Sequence, residues 1–254
     1  MIKAHTEITT TMKDMYMHFA NDDRNVQHQW ALFTRSVDSK IEDALRQTVK
    51  RSLQELSRAI TGDAKQEPQP LFKVNVVLEN NRVEFQPTMI RLTQSVNIVS
   101  KDVITAISEI RRLEQLLPEE IDGYRGGSDL DVNERASFYD IISNDEGILE
   151  ILVQIMNGMS SSATELQKNF SQWDKYKPLW DMDKDAYIRR YAKAKRPLHM
   201  YNIDIQRYRD QQEDIQSDEH TQTIDFIKID VSILKATLVR HCVQWQNQLT
   251  VGFC

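Results

Sequence analysis

A mainly α fold is what this sequence predicts: an elongated bundle of long helices with one small antiparallel β-sheet. Three observations predict it. Apolar residues recur every three or four positions along most of the chain, which is the helical period. Only 7 glycines and 6 prolines interrupt 254 residues, too few for a loop-rich or all-β protein. In the stretch 71–86 the apolar period changes to two, and a strand-like stretch returns at about 222–229.

The elements follow in order. Residues 1–64 read as long helices with one stripe formed by Val26, Trp30, Phe33, Val37, Ile41, Leu45, Val49, Leu53, Leu56 and Ile60. Asn21-Asp22-Asp23 can cap or break it. A helix from Asp22 to Thr61 would run roughly 60 Å at about 1.5 Å per residue. Residues 65–86 hold a breaker-rich connection and a β-hairpin. Asn80-Asn81 tolerates positive φ, so a two-residue turn sets Val76 opposite Phe85, Leu78 opposite Val83 and Glu79 opposite Arg82. Residues 87–118 read as a helix with Leu92, Val96, Val99, Val103, Ile107, Ile110 and Leu113 inward, ended by Pro118.

Residues 119–142 read as an acidic loop and short helix; from 114 to 150 there are 11 acidic and 2 basic residues, which predicts a solvated acidic surface. Residues 143–217 form a helical segment. Ser143 and Glu146 have capping-box spacing, and the first helix would turn Leu149, Leu152, Met156, Met159, Ala163, Leu166, Phe170 and Trp173 inward. Pro178 interrupts it, and Pro197 suits the first turn of a later helix with Leu198, Tyr201, Ile205 and Tyr208 inward. Residues 221–254 hold a strand and a last helix. The strand's alternation slips between Phe226 and Ile227, suggesting a bulge or two covered faces. Asp230 or Ser232 can cap the helix, with Leu234, Leu238, Cys242, Trp245 and Leu249 inward. The structural core is expected at Trp30, Val37, Ile41, Leu45, Leu53, Val76, Phe85, Val103, Ile107, Phe226, Leu238 and Trp245.

The chemistry is conspicuous by what is missing. No glycine is followed by lysine, so there is no phosphate-binding GxxxxGK[ST] loop, and GxGxxG, HExxH and GxSxG are absent. Of six histidines only His241 lies near another His or Cys, Cys242, and neighbours on a helix diverge by about 100°. Catalytic residues, cofactors and metals are therefore expected to be none. Cys242 and Cys254 lack metal spacing, and Cys242 reads as a buried free thiol in a reducing compartment. The net charge of −6 gives no general attraction to nucleic acid or an anionic membrane, and no apolar run is long enough to span one. The start of the chain does not read as a signal peptide, because Lys3, His5, Glu7, Lys13 and Asp14 break any apolar core. One basic run, Lys184, Arg189, Arg190, Lys193, Lys195 and Arg196, interleaves with Tyr187 and Tyr191; a solvated face beside the chain's own acidic surface is preferred to contact with an acidic partner such as tubulin or nucleic acid.

Three stretches carry a resemblance. WALFTRSVDSKIEDALRQTVKRSLQELSRAI from Trp30 resembles the long tail helix of axonemal dynein heavy chains. PLFKVNVVLENNRVEFQPTMIRLTQSVNIVSKDVITAISEIRRL is similar to that family's hairpin-then-helix segment. IQRYRDQQEDIQSDEHTQTIDFIKIDVSILKATLVRHCVQWQNQLT resembles the segment before the motor's linker, with Cys242 and Trp245 at its Cys-x-x-Trp. The resemblance implies one continuous stem segment of a longer chain that drives ATP-dependent, minus-end-directed microtubule sliding in the axoneme of cilia and flagella. It implies cytoplasmic and cytoskeletal placement, and other heavy, intermediate or light chains as partners. It also implies that microtubules are met only by parts of the parent absent here. The rival expectation is a free-standing helical adaptor that binds partners by an apolar stripe.

Overall fold

The computed structural model describes residues 2–19, 24–62, 70–113, 137–194, 197–217 and 219–251. The expected break at Asn21-Asp22-Asp23, most of the 119–142 acidic segment, Pro118 and Cys254 lie outside them. The helices are α1 (Ile2–Phe19), α2 (Arg24–Thr61), α3 (Met89–Thr105), α4 (Phe138–Ser143), α5 (Glu146–Phe170), α6 (Pro178–Asp181), α7 (Lys184–Lys193), α8 (Leu198–Ser217) and α9 (Ser232–Val251), and a 3₁₀ turn covers Ser171–Tyr176. The strands are β1 (Phe72–Glu79), β2 (Arg82–Gln86), β3 (Thr221–Ile224) and β4 (Ile227–Asp230). The chain divides into two compact units: Met1–Arg58 with Ser95–Ile155, and Ala59–Gln94 with Met156–Cys254.

The first unit is helical and tied by polar contacts. Leu45, Val49 and Leu53 are buried on α2, but toward its N-terminal half the inward face turns to Thr34 and Asp38, which are 2 % exposed, while Phe33 is 42 % exposed. Asp38 explains the rotation: its Oδ1 accepts the Leu113 backbone N–H at 2.9 Å inside the core. The helix expected to run to Pro118 stops at Thr105. Tight i→i−3 bonds from Ile107, Ser108 and Ile110 close a turn that sends Ile107, Ile110 and Leu113 into the core, and Val99 faces solvent. Glu42 accepts from Arg46 at 2.7 Å and from Arg112 at 2.9 Å, while Asp145 pairs with Arg46 at 3.2 Å and Lys50 at 2.8 Å. The Arg112 guanidinium also lies 4.9 Å from the Phe138 ring centroid.

The helix starts in this unit correct one expectation. The capping box belongs to Ser137 and Asp140 at α4, not to Ser143 and Glu146. Ser143 ends α4, and Asp145 takes up the start of α5 by accepting the Ile148 N–H at 3.1 Å. With that start, the first turns of the α5 stripe shift by one residue, with Ile148, Ile151 and Ile155 buried and Leu149 45 % exposed, while Met159, Leu166 and Trp173 are buried as expected.

The second unit is built on a sheet of order β2-β1-β4-β3. The β1–β2 register is the one the Asn80-Asn81 turn requires, with Val76 opposite Phe85, Leu78 opposite Val83 and Glu79 opposite Arg82. Both turn residues have positive φ, 49° and 60°, as a turn matching the strand twist demands. The expected antiparallel sheet is instead mixed. The single strand expected near 222–229 is two strands, β3 and β4, folded back on each other around Asp225-Phe226. β4 pairs with β1 in parallel, Phe72 opposite Ile227 and Val74 opposite Ile229. The slip in alternation at Phe226 is therefore a turn: Asp225 adopts φ 48°, and its carboxylate accepts the Ser162 hydroxyl at 2.6 Å. Gly158 on α5 allows close packing, since a Cβ there would meet the Ile60 side chain at 2.9 Å.

Candidate functional site

The start of α9 sits directly on the sheet. β4 runs into Asp230, whose carboxylate accepts both the amide and the hydroxyl of Ser232 and pairs with Lys73 of β1 at 3.1 Å. Those bonds, the Ser232 hydroxyl foremost, hold the Asp230 carboxyl down at about 2. The Phe226 carbonyl accepts from the amides of Leu71 and Phe72, at 2.7 and 3.2 Å. The two sequence segments of this unit are thus joined by backbone bonds in one sheet.

Beyond the sheet α9 buries Leu234, Leu238, Cys242, Trp245 and Leu249 along one face. Trp245 is the hub. Its Nε1 donates to the Leu179 carbonyl at 3.0 Å; its ring stacks on Tyr208 at 5.4 Å and 11° and meets Tyr187 edge-on at 5.3 Å. Lys184 Nζ lies 5.5 Å from the same ring. Tyr187 donates to Asp204 at 3.3 Å, and Arg207 reaches Asp204 at 3.5 Å and the Tyr208 hydroxyl at 3.3 Å. Burial pushes the Tyr208 hydroxyl above its ordinary value. The arrangement grips α9 from α6, α7 and α8.

The structure splits the basic run. Lys184 is half-buried over Trp245, whereas Arg189, Arg190 and Lys193 are exposed; Lys195 and Arg196 lie outside the described residues. Burial lowers the Lys184 ammonium's pKa, and burial followed by the Lys184 and Arg240 charges lowers that of His241, whose Nδ1 lies 3.4 Å from Lys184 Nζ. Cys242 is a buried free thiol whose pKa burial pushes up to about 11, which keeps it protonated and unreactive. Among the described residues no three His, Cys, Asp or Glu side chains gather as metal ligands, and no helix is long and apolar enough to cross a membrane.

A second feature, unread in the sequence, is a groove of about 630 Å³ beside β2. Its walls include Arg82, Val83, Glu84 and Phe85 of β2, Met89 and Ile90 of α3, Phe170 of α5, and Trp180 of α6. Phe85 and Phe170 rings are 3.7 Å apart, and Trp180 Nε1 donates to the Asn81 carbonyl at 3.2 Å across the hairpin turn. Phe85 and Trp180 come from segments far apart in sequence, so of this groove the sequence offered the hairpin alone. Of the expected core residues, Leu45, Leu53, Val76, Phe85, Ile107, Phe226, Leu238 and Trp245 are buried, and Trp30, Val37, Ile41 and Val103 are half-buried. The structure does not bring them together at one site: they divide between the two units.

What emerges among the described residues is a mainly helical chain with a mixed sheet that anchors α9. No family model matches the chain. Its sequence is 37 % identical over 98 % of its length to dynein axonemal heavy chain 2 of Mus musculus. The identity is also 37 % over 98 % of the chain to the dynein-1-beta heavy chain of the flagellar inner arm I1 complex of Chlamydomonas reinhardtii, and 35 % over 98 % to dynein axonemal heavy chain 2 of Homo sapiens. The chain belongs to the axonemal dynein heavy-chain family. It spans about 6 % of the length of the relatives it matches.

Proposed function

We propose that this chain is a force-transmitting tail segment of an axonemal dynein heavy chain. It would lie just before the linker of an ATP-driven, minus-end-directed microtubule motor of cilia and flagella. The observation that carries the reading is the collinear identity with axonemal heavy chains over nearly the whole chain. The likeness to a flagellar inner-arm I1 heavy chain favours an inner-arm role over an outer-arm one.

The segment's contribution is mechanical. The parallel β1–β4 pair and the Trp245 hub set the direction in which α9 leaves the sheet, and a stem must hold that angle for displacement to pass along it. The segment has no catalytic role of its own; its setting is the axoneme and cytoplasm, and its partners are other heavy, intermediate or light chains.

Replacement of the heavy chain in ciliated cells by one lacking these residues tests the proposal. Arm-driven sliding should be lost while the purified motor still hydrolyses ATP. Unchanged sliding overturns the mechanical role, and lost hydrolysis overturns the non-catalytic one. Calorimetry of the chain with ATP and Mg²⁺ should give no saturable heat.

A further inference from the structure

The groove beside β2 borders the sheet's open edge. β2 is terminal in the order β2-β1-β4-β3. A two-residue turn makes Glu79–Arg82, Val77–Glu84 and Asn75–Gln86 the hydrogen-bonded pairs of the hairpin. The N–H and C=O groups of Val83 and Phe85 therefore point away from β1, and among the described residues no backbone group bonds to them. Two such residues offer up to four ladder bonds to an added strand.

The side chains specify what such a strand should carry. Val83 and Phe85 lie on the face toward Phe170, in a groove walled also by Met89, Trp180 and Ile90, the last 71 % exposed. Arg82 and Glu84 alternate with Val83 and Phe85 along β2 and also border the groove, and neither has an ion-pair partner among the described residues. An antiparallel strand that meets them runs opposite Phe85 first and Arg82 last. Complementarity requires an apolar residue opposite Phe85, a basic one opposite Glu84, an apolar one opposite Val83 and an acidic one opposite Arg82. The other edge, β3, presents the exposed polar side chains of Thr221, Gln222 and Thr223. The groove volume of about 630 Å³ falls within the roughly 300–1,000 Å³ of ordinary ligand sites.

We infer that β2 and its groove bind an extended segment of a partner protein as an added antiparallel strand, reading apolar–basic–apolar–acidic from its N-terminus. Backbone bonds to Val83 and Phe85 hold the strand, the groove takes its apolar residues, and Glu84 and Arg82 set its direction.

Fluorescence anisotropy of the full chain with a labelled Thr-Val-Lys-Val-Glu-Thr peptide tests this. The peptide should bind saturably, and exchanging its Lys and Glu should weaken binding about tenfold. The double variant Arg82→Glu, Glu84→Arg should reverse that preference, which a merely unfolded hairpin could not do. Val83→Pro removes an outward N–H without touching the β1 ladder, and should abolish binding while hairpin amides stay protected from exchange. No saturable binding by millimolar peptide, equal binding of both peptides, or an unaffected Val83→Pro variant overturns the inference. Self-association abolished by Val83→Pro, in a chain that ignores the peptide, assigns the edge to a second copy and also overturns it.

Discussion

The two units solve the same problem with different materials. In the first, charge ties helices around their apolar core: Glu42, Arg46, Lys50, Arg112 and Asp145 form a connected set, and Asp38 accepts the Leu113 backbone amide. In the second, backbone pairing and aromatic packing dominate, with four strands and the Trp245–Tyr208–Tyr187 cluster. Apolar and backbone interactions report their partners in local sequence pattern, whereas the half-buried ion-pair set joins the helical ladder Glu42, Arg46 and Lys50 to Arg112 and Asp145, which no periodicity connects to it. The units should therefore respond differently to acid, to truncation and to turn substitutions.

The largest effect is expected at the aromatic hub. Trp245→Ala opens a cavity among α6, α7, α8 and α9 and orphans the Leu179 carbonyl, so it should cost about 3–5 kcal/mol. Denaturant unfolding measures the loss, and amides of α8 and α9 should lose protection from exchange first. A cost below about 1 kcal/mol would mean that the sheet, not the hub, holds α9.

Next comes the charged set. Arg112→Met removes the contact to Glu42 and the stacking on Phe138 but leaves Glu42 its bond to Arg46. Both Arg112 and Glu42 side chains retain some exposure, 16 % and 19 %, so the cost should be nearer 1–2 kcal/mol than the roughly 3–5 of a fully buried broken pair. A matched Glu42→Gln, Arg112→Met variant should recover part of the loss; strictly additive costs would show that the two do not interact.

How much of this was legible in the sequence follows from the same contrast. The hairpin register, the Asn80-Asn81 turn and the whole inward face of α9 could be read because each is set by residues within a few positions of one another. The end of α3, the rotated face of α2 and the start of α5 could not. The first two are fixed by Asp38 reaching Leu113 across 75 residues of sequence. The start of α5 is masked because the spacing of Ser143 to Glu146 mimics a capping box, whereas Asp145 caps the helix through the Ile148 N–H and also meets Lys50. The parallel β1–β4 pair was missed for a third reason: Asp225 in a left-handed conformation looked like a slip in one strand rather than a turn between two. The groove depends on Trp180 arriving over Asn81, a contact between a short helix and a turn that no local pattern foretells.

A turn substitution gives a smaller effect that sharpens the comparison. Asn81→Ala places a non-glycine, non-Asn residue at φ 60° and should cost about 1–2 kcal/mol. Asn81→Gly should restore most of it. The Trp180 bond goes to the Asn81 backbone carbonyl and survives either change, so a larger loss would point to a shifted hairpin register.

The smallest effect is at Asp230, and it separates a cap from an ion pair. Lys73 is 62 % exposed, so its pairing with Asp230 contributes little, and the Ser232 amide and hydroxyl are the partners that matter. Asp230→Asn keeps the shape but weakens acceptance at the start of α9, and should cost about 0.5–1 kcal/mol at neutral pH. The sign of its pH dependence follows from linkage. The folded carboxyl is depressed from 3.8 to about 2, so its stabilisation is complete above the ordinary carboxylate range and is lost as pH falls from there toward about 2. Asp145, whose carboxyl the Lys50 hydrogen bond also holds below its ordinary value, adds to the pH dependence of both proteins alike, so only the gap between parent and variant is diagnostic. That gap should narrow as pH falls from about 5 to about 2.5, and should barely respond to added salt if the bonds to Ser232 carry it. A gap that stays constant with pH would remove the carboxylate from the cap, and one that collapses in salt at neutral pH would hand the role to Lys73.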